Sequence, residues 1–331
     1  MGQTFSDEGQ FEAICTKRIL VTGGTGLVGK GIQAAIKKDP LAADESYIFL
    51  SSRDGDLRDK EATRAIFRRH RPTHVIHLAA LVGGLFANQR RKVDFFRENI
   101  LINDNIMECC REFGVEKLVS CLSTCIFPDK TTYPIDETMI HDGAPHESNE
   151  GYAYAKRLID VMNRCYQDQH GCKFTSIVPT NVYGPYDNFS IEEGHVIPGL
   201  VHKAYLAKER DSNFIIWGSG TPLRQFIHAE DLGALTVWTM RNYDEVDPII
   251  LSVGEEDEVS IADVAKMIAK EMGLRDDQVQ FDTSKADGQF KKTASNAKLR
   301  TYLPDYEFKP MDEGIREVVA WFRRNYANAR K

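Results

Sequence analysis

A chain of 331 residues, 42% hydrophobic and 27% charged, has the composition of a globular protein with one large or two closely packed domains, which excludes a disordered or fibrous one. The net charge of −7, with acids and bases mixed along the chain, excludes a general nucleic-acid binder but allows a local basic pocket for a small anion. Seven cysteines without a CxxC pair suggest neither a disulfide framework nor a metal cluster, and they fit a reducing compartment.

The first sixteen residues read as an N-terminal extension. They contain Asp7, Glu8 and Glu12 and lack the basic and apolar regions of a signal peptide. Met1-Gly2-Gln3-Thr4-Phe5-Ser6 formally fits the N-myristoylation pattern, but acids follow it and no polybasic patch supports a second anchor. No apolar run approaches the roughly 18 residues that span a bilayer. The expectation is a cytoplasmic protein without stable membrane insertion.

The ordered chain is expected to begin with a strand at 18–21, followed by the string Thr22 to Gly29 and a helix with Leu27, Val28, Ile32, Ala35 and Ile36 on one face. Asp39-Pro40 ends that helix. A strand at 47–50, a helix at 60–69 and a strand at 74–78 complete a βαβαβ run, which predicts an α/β fold with a doubly wound parallel sheet of Rossmann type. A helix at 99–113, a strand at 117–120, a helix at 152–170 and a strand at 175–178 continue the alternation. From Tyr183 onward turns and prolines become denser, which reads as a smaller C-terminal α/β substrate-binding region over the carboxyl edge of the sheet. A helix at 231–242 and a strand at 248–253 return the chain to the first region. Ser260 caps a helix running to about Met272, and 311–326 is helical. The expected division is therefore 17–182, with a return at 226–253, and 183–225 with 254–331.

The glycine string Gly23-Gly24-Thr25-Gly26-Leu27-Val28-Gly29 lies between a strand and a helix, the context that turns a weak GxGxxG pattern into a dinucleotide site. Amides at the helix start face the pyrophosphate. Where NAD sites place an acid at the end of the second strand, this chain has Leu50-Ser51-Ser52-Arg53. Ser52 and Arg53 suit a 2′-phosphate and favour NADP, although Arg53 is also compatible with a solvated arginine beside Asp54.

Tyr152 and Lys156 stand at i and i+4 on one helix face. A free phenol titrates at about 10, and an ammonium that lowers it by about three units supplies roughly 4 kcal/mol of differential interaction. Such a phenol can protonate a carbonyl oxygen as hydride reaches the carbon. Twelve tyrosines make the spacing easy to meet by chance, so it needs context. Ser123, after a strand, supplies a hydroxyl or is simply a turn residue.

The strings TGGTGLVG, SCLST and YAYAK resemble the extended short-chain dehydrogenase/reductase superfamily. More narrowly, HLAALVGGLFAN, STCIFPDKTTYPIDE, PTNVYGPYDNF, GHVIPGLVHK and LSVGEEDEVSI resemble the GDP-L-fucose synthases, and the likeness runs from about Arg18 to the C-terminus. This resemblance implies conversion of GDP-4-keto-6-deoxy-D-mannose to GDP-L-fucose, by epimerisation at C3 and C5 and then NADPH-dependent reduction at C4. It implies Gly23 to Gly29 as NADP residues, Pro179, Thr180, Asn181 and Val182 along the nicotinamide, and Ser123, Tyr152 and Lys156 as the reductase triad. It further implies Cys125 and His195 as the epimerase pair, with His195 also near the cofactor. Lys203, Trp217, Arg224 and Asp287 match nucleotide-sugar contacts, and a homodimer through the helices at 99–113 and 152–170 is implied. Bacterial members often carry Arg where Lys203 stands, a fork in place of a point charge. Read without the resemblance, Cys125 is a buried structural thiol, His195 a hydrogen-bonded histidine, and Lys291 and Lys292 are solvated. The alternatives are a nucleotide-sugar 4-epimerase or 4,6-dehydratase with tightly bound NAD, and a non-catalytic NADP-sensing module. Thr124-Cys125 argues against the dehydratase, which tends to carry an acidic pair there.

Overall fold

The computed structural model describes residues 17–285, 287 and 290–331. The N-terminal extension, with Gly2, lies outside them. In chain order the elements are β1 (Lys17–Thr22), α1 (Leu27–Lys38), β2 (Glu45–Phe49), α2 (Lys60–His70), β3 (His74–His77), α3 (Leu85–Arg90), α4 (Lys92–Glu112), β4 (Lys117–Cys121), α5 (Glu150–His170), β5 (Phe174–Pro179) and β6 (Asn181–Tyr183). They continue with α6 (Val196–Arg210), β7 (Phe214–Trp217), β8 (Leu223–Arg224), β9 (Phe226–His228), α7 (Ala229–Asn242), β10 (Ile249–Leu251), β11 (Val259–Ser260), α8 (Ile261–Met272), β12 (Val279–Asp282), α9 (Ala297–Tyr302) and α10 (Met311–Asn325). Short 3-10 turns, one of them at Thr124–Ile126, join several of these.

Six strands form one parallel sheet in the order β10-β5-β4-β3-β1-β2. The chain steps outward from β1 to β2 and then crosses back to β3, so the order reverses between β1 and β3. In doubly wound sheets the crevice at that reversal, outside the carboxyl ends of the strands, holds the ligand. Side chains alternate across the sheet. Leu20, Val75 and Leu118 pack in one core with Ile66, Ile106 and Ile159 of the helices α2, α4 and α5. Ile19, Val21, Ile76 and Val119 face the opposite core with Ile32 of α1 and Leu232 of α7. Burial on both faces explains why these strands read as unbroken apolar runs.

Helices α1 and α7 meet backbone to backbone. A Cβ on Gly31 would lie 1.8 Å from the Ala229 carbonyl oxygen, and one on Gly233 would lie 2.4 Å from the backbone of Gly31. Only hydrogen side chains permit that approach.

A second core gathers Ile197 and Val201 of α6, Phe214 of β7, Val264 and Ile268 of α8, and Ile315 and Phe322 of α10. Pairs β7–β12, β8–β11 and β6–β9 edge it. Leu299 is buried in the first region's core, with Leu303, Tyr306 and Phe308 packed against it, so the segment after 254 is shared between the two cores.

The sequence pattern did not reveal α6, because its Pro198-Gly199 pair reads as a turn. Pro198 sits in the first turn of the helix, where an amide has no intrahelical partner to lose. Helix α4 begins at Lys92, ahead of the expected 99, because its solvent side carries apolar residues that blur the stripe. Val93, Phe96 and Leu101 there are 67%, 40% and 43% exposed, and Leu158 of the adjoining α5 is 38% exposed.

Candidate active site

The glycine string forms a tight turn from β1 into α1. Gly23 adopts φ 67°, in the left-handed region that disfavours side chains. Gly24 donates its N–H to the Leu50 carbonyl at 2.8 Å, which ties the turn to the end of β2. Thr25 is exposed, and Gly26 is the N-cap of α1 with no side-chain cap, so the first amides of the helix, at Leu27, Val28 and Gly29, have no capping side chain competing with an anion. These residues fit a dinucleotide pyrophosphate. Just beyond β2, Asp54 accepts hydrogen bonds from the Ser51 amide (2.7 Å) and hydroxyl (2.9 Å), and those bonds lower its pKa. Arg53, exposed next to Ser52, makes no hydrogen bond or ion pair through its guanidinium among the described residues. The carboxylate beside it is thus engaged with Ser51, and the cation stays available for a 2′-phosphate.

Along the carboxyl edge, Pro179 ends β5. The Thr180 amide donates to the Leu251 carbonyl, and the Thr180 hydroxyl is buried without a protein partner among the described residues. The Asn181 side chain donates to the Gln225 carbonyl at 2.9 Å, and Val182 follows in β6. The unpartnered Thr180 hydroxyl is the one polar group of this stretch that burial would normally require to be satisfied.

Ser123, Cys125, Tyr152 and Lys156 come together at the end of β4 and the start of α5. The Cys125 amide donates to the Ser123 hydroxyl at 3.4 Å, opening the 3-10 turn that carries the thiol. Lys156 Nζ donates to the Cys121 carbonyl at 2.9 Å and lies 6.0 Å from the centroid of the Tyr152 ring. Tyr152 packs edge-on against Phe95. The expected depression of the phenol is not seen. Burial pushes the Tyr152 pKa well up, with Cys125 and Cys121 adding to it, and burial lowers that of Lys156. Desolvation outweighs the pairing because the ammonium is bonded to a backbone carbonyl and not to the phenol.

Cys125, 7% exposed, is buried yet lines a cleft with Phe127, Tyr133, Ile135, His146 and Lys292. Burial raises its pKa, opposed by Lys292, the Ser123 hydroxyl and Lys156. Lys292 is thus not a solvated surface lysine: burial lowers its pKa while Cys125 raises it. Chain distance hid this pairing from the sequence. Arg224 stands in the same electrostatic neighbourhood, beside Lys292, Tyr133 and Glu258. Its guanidinium donates to the Leu223 carbonyl at 2.7 Å.

His195 is exposed at the N-cap of α6, and no hydrogen bond or ion pair joins it to Cys125 among the described residues. Its neighbour Asp187 is buried, with one carboxylate oxygen accepting the Asn188 amide at 2.6 Å and the other unpartnered among the described residues. Burial raises the Asp187 pKa against the pull of His195.

Lys203, Trp217 and Asp287 form a separate group. Lys203 Nζ sits 3.4 Å over the centroid of the Trp217 ring, and Asp287 accepts the Ser219 amide at 2.6 Å, holding the turn after Trp217. Burial brings Lys203 down to about 8, Asp282 pulling the other way. A lowered lysine is charged below that pH and neutral above it. If Lys203 meets the anion that the resemblance implies, the KM for a nucleotide sugar is expected to rise several-fold as pH climbs through 8, and Lys203→Met to flatten that rise. A pH profile of KM unchanged by the substitution would remove Lys203 from the substrate site.

His228, Glu230 and Glu317 converge elsewhere, but Lys309 bonds Glu230 at 3.2 Å and Glu317 at 2.7 Å, so the cation between them is an ammonium.

Residues 19–254 match the family described as NAD dependent epimerase/dehydratase. The chain is 59% identical over 320 residues to a GDP-L-fucose synthase of Dictyostelium discoideum, covering 97% of this chain and 99% of that one. It belongs to the GDP-L-fucose synthase family. A probable GDP-L-fucose synthase of Drosophila melanogaster is 53% identical, covering 95% of this chain and all of its own length. Among solved structures, a GDP-L-fucose synthetase of Naegleria fowleri bound to NADP superposes with a TM-score of 0.90 at 48% identity, over 96% of this chain and 97% of that one.

Proposed function

We propose that this GDP-L-fucose synthase family member converts GDP-4-keto-6-deoxy-D-mannose to GDP-L-fucose, with NADPH as hydride donor. The observation that carries the reading is the convergence of Ser123, Cys125, Tyr152 and Lys156 at one sheet edge, in a chain this close to named synthases. Gly23 to Gly29, Ser52 and Arg53 would hold NADP at the β1–β3 reversal, and Pro179 to Val182 would line its nicotinamide. Lys203, Trp217, Arg224 and Asp287 would hold the GDP-sugar. The division of labour follows the two cores, with 17–182 and 226–253 for the cofactor and most of 183–225 and 254–331 for the sugar.

The C3 and C5 protons of the ketone are acidified by the C4 carbonyl between them. Inverting each centre requires a base on one face and an acid on the other, and Cys125 and His195 would take those roles. Lys292 and Lys156 favour the thiolate that burial disfavours. NADPH supplies hydride to C4. Tyr152 would donate its proton to the C4 oxygen, Ser123 would bond that oxygen, and Lys156, 6.0 Å from the centroid of the Tyr152 ring, would stand beside the phenolate left behind. The exposed apolar residues of α4 and α5 support a homodimer through those helices. No described helix is long and apolar enough to cross a membrane, and the six described cysteines are free thiols, in keeping with a cytoplasmic site.

Incubation with GDP-4-keto-6-deoxymannose and NADPH in heavy water is expected to yield GDP-L-fucose carrying deuterium at C3 and C5, with one NADPH oxidised per product. Turnover without net NADPH oxidation would point to the 4-epimerase or dehydratase reading. Binding of NADPH with no turnover would point to the sensing module.

A further inference from the structure

Arg157 follows Lys156 directly and is 7% exposed. Its Nε donates to the Ile126 carbonyl at 2.8 Å, its Nη2 donates to the same oxygen, and its Nη1 donates to the Gly143 carbonyl at 2.7 Å. The Tyr154 ring lies 5.4 Å from the guanidinium. Among the described residues no carboxylate pairs with it, so a buried cation is held by carbonyl oxygens and the Tyr154 ring, with Cys125 within its electrostatic reach. That is an expensive arrangement for a purely structural tie, since a neutral donor would leave no buried charge.

The arrangement has a pattern. Lys156 bonds the carbonyl of Cys121 and Arg157 bonds the carbonyl of Ile126, so two successive cations of α5 grip both ends of the short segment that presents Ser123 and Cys125. Tyr152 lies one turn earlier on the same helix.

We propose that Arg157 is a positioning residue for Cys125, clamping the far end of the thiol-bearing turn and lending it a fixed positive charge. One helix then sets the place of the hydride-transfer pair and of the epimerising thiol together. The proposal rests on the functional reading above.

Two readouts test it. The first is deuterium wash-in at C3 and C5 of GDP-4-keto-6-deoxymannose. The second is the pH profile of Cys125 alkylation by iodoacetamide, read by peptide mass, which needs no substrate. Arg157→Gln is expected to slow wash-in ten- to a hundredfold and to move the alkylation inflection to higher pH. Arg157→Lys keeps the charge but cannot bond both carbonyls in the same way. It is expected to return the inflection toward the wild-type value while wash-in stays several-fold slow. Wild-type wash-in and an unmoved inflection in Arg157→Gln would overturn the proposal. If that variant fails to fold, wild-type wash-in in Arg157→Lys would overturn it. No wash-in by the unmutated protein would instead overturn the functional reading, and the alkylation profile would still decide the role of Arg157.

Discussion

Serine in place of Cys125 is expected to cut deuterium wash-in at C3 and C5 by a factor on the order of 10² to 10⁴, the share of rate that a positioned proton-transfer group contributes. The substitution exchanges one small atom at a buried position, so the turn should persist with its amide still bonded to Ser123. What changes is acidity. A hydroxyl in the place of the thiol ionises far less readily, and the nearby Lys292 and Lys156 have no accessible anion to favour. Mass analysis of recovered sugar, beside a melting curve showing an intact fold, reads the outcome. Wash-in at the unmutated rate would exclude the thiol as the base, and attention would pass to His195 with its buried neighbour Asp187.

Phenylalanine in place of Tyr152 is expected to lower NADPH oxidation by about 10² to 10⁴, while wash-in falls much less, because Ser123 and Cys125 are unaltered. The ring keeps its edge-on contact with Phe95, which confines the effect to the lost hydroxyl. Epimerised ketone should then accumulate and be visible by mass as a deuterated, unreduced sugar. Undiminished NADPH oxidation would show that another group protonates C4. Burial raises the Tyr152 pKa, with Cys125 and Cys121 adding to it.

The turn from β1 into α1 was legible in the sequence because close backbone approach demands glycine at fixed offsets, and the doubly buried strands announced themselves as apolar runs. Helix α6 was hidden because Pro198 and Gly199 mimic a loop when their place in a helix is unknown. Lys292 and Arg157 were hidden for another reason. Each is an ordinary cation in the chain, and its meaning comes from a carbonyl or thiol that only folding brings near. The pairing of Tyr152 with Lys156 was legible as spacing, but its electrostatic sign was not, since spacing carries no information about desolvation. Likewise nothing local signals that Lys203 lies over Trp217, as the two sit on α6 and β7 and meet only on folding.

The bare contact between α1 and α7 has a mechanical consequence. One of these helices begins at the cofactor turn; the other begins where β9 ends, a few residues beyond Arg224. Where Gly31 meets Ala229 and Gly233 no side chain stands between the backbones, and Lys38 of α1 bonds Glu230 of α7, so neither helix slides or tilts without dragging its mate. The glycine turn ahead of α1 and the Arg224 segment ahead of α7 are therefore bolted to a common girder, and change toward a bulkier ligand has to fall on peripheral loops while leaving that frame alone.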